Sequence, residues 1–322
     1  MSKKGRIIAI CVLLVTIVVT HIATFFGAGA FICDYALSRS VPVVDKILSE
    51  GLENYDHPFF VASSWFENVP KKSEIKITSH DNLKLSAYQI LAETQTSKWV
   101  VLMHGYRGKP LDMTFYASKF YEQGFNILIP WQRAHGESEG KFITMGVNEK
   151  FDLCEWTEMI SKRDAQAEIV LFGVSMGAAS VMMSTAENLS ENVKVAVSDC
   201  GYSSVYDQFR YLVESYLGFD ASVLLDSAQL HANKKIGIDF SRASSTDALS
   251  KCRIPTLFIH GTADDFVPFS MLDEIYDSAI LLEDGSTKEK LVIDDAEHML
   301  AASVAPEIYF SKVFEFVNKF VA

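Results

Sequence analysis

Short apolar runs and longer amphipathic stretches alternate along most of the chain. Glu74–Ser79 alternates polar and apolar positions, as a half-buried strand does. His80-Asp81-Asn82 is a turn signal, and Lys84–Leu91 resumes as a second strand, which predicts a hairpin. Trp99–Met103, Phe125–Pro130, Glu168–Gly173, Val193–Ser198, Pro255–His260 and Lys290–Asp294 are short and almost continuously apolar, the signature of strands buried on both faces. Thr114–Gln123, Asn148–Ser161 and Ser303–Phe320 carry helical periodicity between them. A hairpin followed by strand–helix alternation predicts a mostly parallel sheet of about eight strands with helices on both faces. The stretch from Asp199 to Lys251 has no strand pattern, whereas connections in such folds usually take about 2–6 residues. It reads as two helices, Tyr202–Gly218 and Ala221–Lys235. They either complete the cover of the sheet or form a small helical cap, about residues 202–250, over its carboxyl edge, where open parallel sheets bind ligands.

The amino terminus follows a different pattern. Ile7–Phe26 is apolar apart from threonines and His21, and it holds no acidic or permanently charged residue. About 20 residues at 1.5 Å each match a hydrocarbon core of about 30 Å. Lys3, Lys4 and Arg6 precede the run, and such cations are retained on the cytoplasmic side. The expected organisation is a cytoplasmic tail (1–6), a transmembrane anchor (7–26), a helical, aromatic connector (27–70) and an extracytoplasmic globular domain (71–322). A cleaved signal peptide is the competing reading, because Ala28-Gly29-Ala30 resembles a small-x-small cleavage site. The apolar region of a signal peptide, however, usually spans about 7–15 residues.

Composition narrows the function. With 41 acidic against 29 basic side chains, the net charge of −12 disfavours a phosphate-tracking nucleic-acid binder, so no nucleic-acid partner is expected. Five cysteines without a Cys-x-x-Cys spacing suggest neither a disulfide framework nor a zinc site. Cys154, in a helix pattern, and Cys200, just past a buried strand, are expected to be buried thiols. There is no His-Glu-x-x-His and no clustered His/Asp motif, so neither metal nor cofactor is expected.

The candidate chemistry converges on one serine. Gly173-Val174-Ser175-Met176-Gly177 follows a predicted strand and precedes the helix-forming Ala178–Met183. Strand, tight turn and helix are the context that gives a Gly-x-Ser-x-Gly pattern its meaning: the hydroxyl projects from the sheet's edge at a helix amino terminus. A serine nucleophile needs a base, and the base an orienting acid; with such an elbow the chain order is Ser, acid, His. Of eight histidines, His298 alone lies after both the serine and the best acids. Asp264 and Asp265, in the turn after His260-Gly261, and Asp199, at the end of the preceding strand, are candidate acids. Two backbone N–H groups should face the developing oxyanion. Met176, after the serine, supplies one; Tyr106, in His104-Gly105-Tyr106-Arg107-Gly108, is the candidate for the other.

These motifs together resemble the α/β-hydrolase superfamily. His104-Gly105, Arg133-Ala134-His135-Gly136-Glu137-Ser138-Glu139-Gly140, Gly173-x-Ser175-x-Gly177, His260-Gly261-x-x-Asp264-x-x-Val267-Pro268 and Glu297-His298 stand in that family's order over about residues 72–322. The chain is particularly similar to bacterial, amino-terminally anchored hydrolases of carboxylesterase-like and serine-peptidase-like type. The resemblance implies an α/β-hydrolase fold and a triad of Ser175, Asp264 and His298, with Tyr106 and Met176 at the oxyanion hole. It favours Asp264 over Asp265, because the motif sets the acid four residues after the histidine. Gln132-Arg133-Ala134-His135 departs from the Asp-x-Arg-Gly-His of many relatives, at a turn whose role is structural. A serine at the elbow, where dehalogenases and epoxide hydrolases carry aspartate, implies acyl transfer. The expected substrate is a small-molecule acyl ester, and an anchor near the bilayer favours amphiphilic ones. A peptidase of the same fold and a catalytically silent, anchored binding module are the alternatives.

Overall fold

The computed structural model describes residues 23–39, 58–280 and 288–322, together with Thr16 and Thr20. Eight strands form one sheet: β1 (Lys72–Thr78), β2 (Lys84–Ile90), β3 (Lys98–Met103), β4 (Asn126–Pro130), β5 (Glu168–Val174), β6 (Val193–Asp199), β7 (Thr256–Gly261) and β8 (Lys288–Ile293). Their order is β1-β2-β4-β3-β5-β6-β7-β8. β1 and β2 pair antiparallel, as does β2 with β4, and every other pairing is parallel.

The register explains the pattern read in the sequence. β3 to β7 lie between neighbours and beneath helices on both faces, so nearly every position is buried and nearly every residue apolar. β1 is an edge strand and keeps the alternation, with Ile75 and Ile77 half-buried among exposed neighbours. β8 departs from expectation. It pairs with β7 alone, and its burial is partial at most positions, so it is an edge strand rather than one buried on both faces. The last predicted helix is two, Ala301–Val304 and Pro306–Val317, divided at Pro306, which starts the second as a first-turn proline. Tyr309, Phe310, Val313, Phe316 and Val317 form its buried stripe in the main core with Tyr116 and Phe120.

The strand-free stretch forms the helices Val205–Leu217 and Ser222–Ile236. The first lies over the sheet's carboxyl edge, where the Gln208 side chain donates to the Phe266 carbonyl (2.7 Å) and the Tyr211 hydroxyl to that of Asp265 (3.1 Å). Residues 23–37 are helical and pack on the second. Buried Gly29, Cys33 and Leu37 recur at every fourth position, and Ser227 donates to the Phe25 carbonyl (2.8 Å). Thus the start of the stretch expected to be a connector lies on the globular body. Most of Ile7–Phe26 lies outside the described residues; among those described, no helix is long and apolar enough to cross a membrane.

The turn after β4 carries a buried ion pair. Arg133 meets Asp152 through Nε (2.7 Å) and Nη2 (2.6 Å), and meets the more exposed Asp81 through Nη1 (2.8 Å). Removing one partner of a buried pair leaves the other charge uncompensated. Arg133→Ala is therefore expected to lose about 3–5 kcal/mol of stability, read from the shift of a urea unfolding midpoint. Asp81→Asn is expected to stay within about 1 kcal/mol, as for a solvated ion pair.

Cys200 and Cys252 are buried, as is Cys33. Cys154 is half-buried instead of buried, because its position in Glu149–Arg163 faces the margin of the stripe formed by Leu153, Trp156 and Ile160. Burial pushes its thiol up to about 12 all the same.

Candidate active site

β5 ends in a turn so tight that Ser175 takes φ 56° and ψ −121° before the helix Met176–Ser184 begins. Such a conformation costs a non-glycine residue about 1–3 kcal/mol and persists only where the surroundings over-determine it. Here the Ser175 N–H donates to the Asp199 carbonyl (2.9 Å), and its carbonyl accepts from the Ala179 N–H (3.0 Å). Gly177 faces β3 so closely that a Cβ there would lie 2.1 Å from the Met103 carbonyl oxygen. The small residue two positions after the serine is thus required by the approach of helix to strand.

His298 lies in the loop after β8. Its Nε2 is 2.9 Å from Ser175 Oγ, and its Nδ1 is 2.7 Å from Asp264 Oδ2. Asp264 comes from the loop after β7. The two loops touch at Gly261, where a Cβ would lie 2.1 Å from the Ala296 carbonyl oxygen, and Ala263 N–H donates to that carbonyl (3.1 Å). The ring of Phe266 covers His298 at 4.9 Å between centroids. The chain order offers Asp264, Asp265 and Asp199 as acids, and the family resemblance favours Asp264. Asp264 lies beside His298, whereas Asp199 turns to Tyr309, whose hydroxyl donates to its Oδ2 (2.6 Å). Burial pushes the Asp199 carboxyl up to about 6.

Asp264 has more partners than the sequence suggested. Its Oδ1 accepts from the backbone N–H of Phe266 (3.0 Å) and Val267 (2.8 Å). Its Oδ2 is also 3.2 Å from His260 Nε2, which lies 3.0 Å from the Val267 carbonyl. Two acceptors fix Nε2 as the protonated nitrogen of His260. Chain order sets His260 too early to be the base, and nothing in the sequence signals its contact with the acid except its spacing four residues before Asp264. Burial alone would raise the Asp264 carboxyl; the hydrogen bonds from His260, His298 and the Val267 N–H outweigh it and hold it at about 2. That lies below the ordinary aspartate value of about 3.9. The ionised carboxylate therefore adds stability above about pH 4, and this is lost as pH falls toward 2.

The loop after β3 faces the serine from the other side. A Cβ on Gly105 would lie 3.4 Å from Ser175 Cβ, so this loop touches the elbow at the residue before Tyr106. Met176 is the first residue of the elbow helix.

Among the described residues, three groups of side chains lie close enough to hold a metal on distance alone: Cys200–Asp264–His298, Cys33–Asp34–His231 and His80–Asp81–Asp152. Their chemistry fits a cation poorly. Arg133 already neutralises Asp81 and Asp152, and the Lys235 ammonium sits 2.5 Å from Asp34. Burial raises the thiol of Cys33 to about 11 and holds that of Cys200 well above its ordinary value, away from the thiolate a metal needs.

Comparison with known proteins finds relatives and structures of similar fold. A family model described as serine aminopeptidase, S33, matches residues 94–203, from β3 through the elbow to the end of β6. The uncharacterized protein YqkD of Bacillus subtilis is 25% identical over 254 residues, which cover 79% of this chain and 81% of that protein. YfhR of Escherichia coli K12 is 22% identical over 250 residues, 76% of this chain and 79% of its own. Among solved structures, the Pyrococcus furiosus esterase Pf2001 superimposes with a TM-score of 0.63 at 22% identity, covering 78% of this chain and 92% of the esterase. The acylaminoacyl peptidase of Pyrococcus horikoshii gives 0.57 at 17% identity, over 83% of this chain and 44% of its own.

Proposed function

We propose that this chain, which belongs to the α/β-hydrolase superfamily, is a serine hydrolase that cleaves an ester or related acyl bond through a covalent acyl-enzyme. The observation that carries the reading is His298, 2.9 Å from the Ser175 hydroxyl at one nitrogen and 2.7 Å from the Asp264 carboxylate at the other. In the first step Ser175 Oγ attacks the acyl carbonyl carbon and its proton passes to His298 Nε2. Asp264 holds Nδ1 protonated and stabilises the imidazolium. The N–H groups of Tyr106 and Met176 receive the oxyanion. The intermediate collapses, the alcohol leaves with the proton from His298, and Ser175 carries the acyl group. Water then attacks that ester carbonyl, giving a proton to His298, and the carboxylic acid departs as Ser175 recovers its proton.

A peptidase is the second reading, favoured by the description of the matching family and by the acylaminoacyl peptidase among the structural neighbours. A series of p-nitrophenyl esters of increasing acyl length, run beside aminoacyl p-nitroanilides on purified full-length protein, separates the two. Turnover of the esters with little release from the anilides is expected. The opposite ranking would replace the esterase reading by the peptidase one, and no turnover of either would leave a silent binding module.

Placement belongs to the same proposal. Residues 7–26 anchor the chain, with Lys3, Lys4 and Arg6 in the cytoplasm and the hydrolase domain outside. The helix 23–37 runs parallel to Ser222–Ile236: Phe25 meets Ser227, and Asp34 pairs with Lys235. The anchor's end therefore lies at the cap tip that exposes Leu217, Phe219 and Val223, an apolar rim suited to a bilayer surface and amphiphilic acyl substrates. Protease added to intact cells should digest the hydrolase domain. Protection until the cells are permeabilised would overturn the orientation.

A further inference from the structure

The carboxyl end of the helix 23–37 has its free carbonyls satisfied by the globular body. A helix leaves its last four C=O groups without helical partners, and cations are favoured there. In this chain the Asp34 carbonyl accepts from the Ser38 N–H (3.1 Å) and that of Leu37 from the Ile143 N–H (2.7 Å). The carbonyls between them, and those just beyond, are taken by two consecutive side chains of the loop that faces Ser175. The Tyr106 hydroxyl donates to the Ala36 carbonyl (2.5 Å). Arg107 donates through Nη2 to Ser38 (2.9 Å) and Tyr35 (3.4 Å), through Nη1 to Arg39 (3.4 Å), and through Nε to the Tyr106 hydroxyl (3.0 Å). Arg107 itself has φ 53°, and its N–H donates to His135 Nε2 (3.0 Å). The other flank of residues 38–39 is held by the Arg39 guanidinium on the carbonyls of Gly136 and Ser138 and by the Arg39 N–H on Lys141.

We propose that Tyr106 and Arg107 make the carboxyl end of the helix 23–37 a positioning element for the oxyanion hole, so that a segment outside the hydrolase sheet sets the geometry of the reaction. This rests on the serine-hydrolase reading and on Tyr106 N–H as an oxyanion donor. One residue then carries both functions: its backbone faces the reacting carbonyl and its hydroxyl grips the helix. Because the strained Arg107 follows it directly, a displacement of residues 35–39 is passed to the Tyr106 peptide through two side chains. The same helix begins inside the apolar run 7–26, so the segment that anchors the chain also constrains the catalytic loop.

The test uses full-length protein with Tyr106→Phe, Arg107→Ala and Arg107→Lys. Removing an oxyanion donor outright costs about 10²–10³ in rate, and a displacement of about 1 Å can cost up to about 10². Arg107→Ala is expected to lower kcat about tenfold and Tyr106→Phe severalfold, by the same reasoning for a donor misplaced but not removed, with KM nearly constant. Arg107→Lys, which keeps the charge but not the fork, should recover part of the loss. A trifluoromethyl ketone, which forms an oxyanion on the serine, should lose affinity in step with kcat/KM, and the melting temperature should not follow the series. Folded variants with kcat and ketone affinity within twofold of wild type would overturn the inference alone. Loss that tracks melting temperature with unchanged ketone affinity would reduce the contacts to a structural role and overturn it too. Wild-type protein that neither turns over esters nor binds the ketone would remove the serine-hydrolase reading, and the inference with it.

Discussion

Ser175→Ala is expected to lower ester turnover by about 10⁶ and to abolish labelling by a fluorophosphonate, by the magnitude known when the nucleophile of a catalytic triad is deleted. The reason is local. The hydroxyl is 2.9 Å from His298 Nε2, and burial holds the thiol of Cys200, which lies beside Asp264 and His298, protonated. Stability should change little, because alanine keeps the Cβ and every backbone bond of the turn. Ser175→Gly provides the contrast. At φ 56° and ψ −121° a side chain is strained and glycine is not, so the glycine variant should melt above the alanine variant, by about 1 kcal/mol once the entropy of glycine in the unfolded chain is deducted. Persistent labelling of Ser175→Ala would reject Ser175 as nucleophile.

Much of this frame is legible in the sequence because burial on two faces writes itself as uninterrupted apolar runs. β3 through β7 are legible to within about a residue for that reason, and the Gly-x-Ser-x-Gly turn gains its meaning from the strand before it. β8 misleads because Leu291, Val292 and Ile293 resemble a buried strand, although the strand has a partner on one side only. The helix 23–37 is harder to read. Its apolar face is a stripe of Gly29, Cys33 and Leu37 inside a segment already rich in apolar residues, so no periodicity distinguishes a face that packs on the cap from one that continues an anchor. The gaps in the site have another cause. Order along the chain selects the base but says nothing of third partners. His260 is excluded as base by its position before Asp264, yet the turn between them folds back to set its Nε2 against the same carboxylate oxygen that meets His298. Tyr106 is identifiable by its backbone, while the grip of its hydroxyl on Ala36 joins residues 70 positions apart. Such contacts belong to the tertiary structure and leave no local signal.

Asp264→Asn is expected to lower kcat/KM by about 10⁴, the loss that follows when a triad histidine is held in the wrong tautomer. The surroundings of the carboxylate decide which way the new amide points. Oδ1 accepts two backbone N–H bonds, from Phe266 and Val267, so the asparagine carbonyl oxygen takes that place. Its NH₂ then occupies the position of Oδ2, facing His298 Nδ1 and His260 Nε2. His260 cannot adapt by shifting its proton without giving up the bond to the Val267 carbonyl. His298 can, by becoming an acceptor at Nδ1 and carrying its proton on Nε2. In that tautomer it donates to Ser175 and cannot take the serine proton. The variant should therefore stay folded near neutral pH, with the serine in place but slow to react with a fluorophosphonate. The remaining activity should rise with pH, as hydroxide replaces the lost base. Stability in acid gives an independent reading. The wild-type carboxylate, held at about 2, contributes stability above about pH 4 that fades toward pH 2. The asparagine variant has no such group, so the two unfolding curves should converge as pH falls through that window. Wild-type-like turnover at pH 7 in Asp264→Asn would remove Asp264 from the triad. A stability gap that stays constant from pH 5 to pH 2 would show that its carboxyl is not held ionised by His260, His298 and the loop N–H groups.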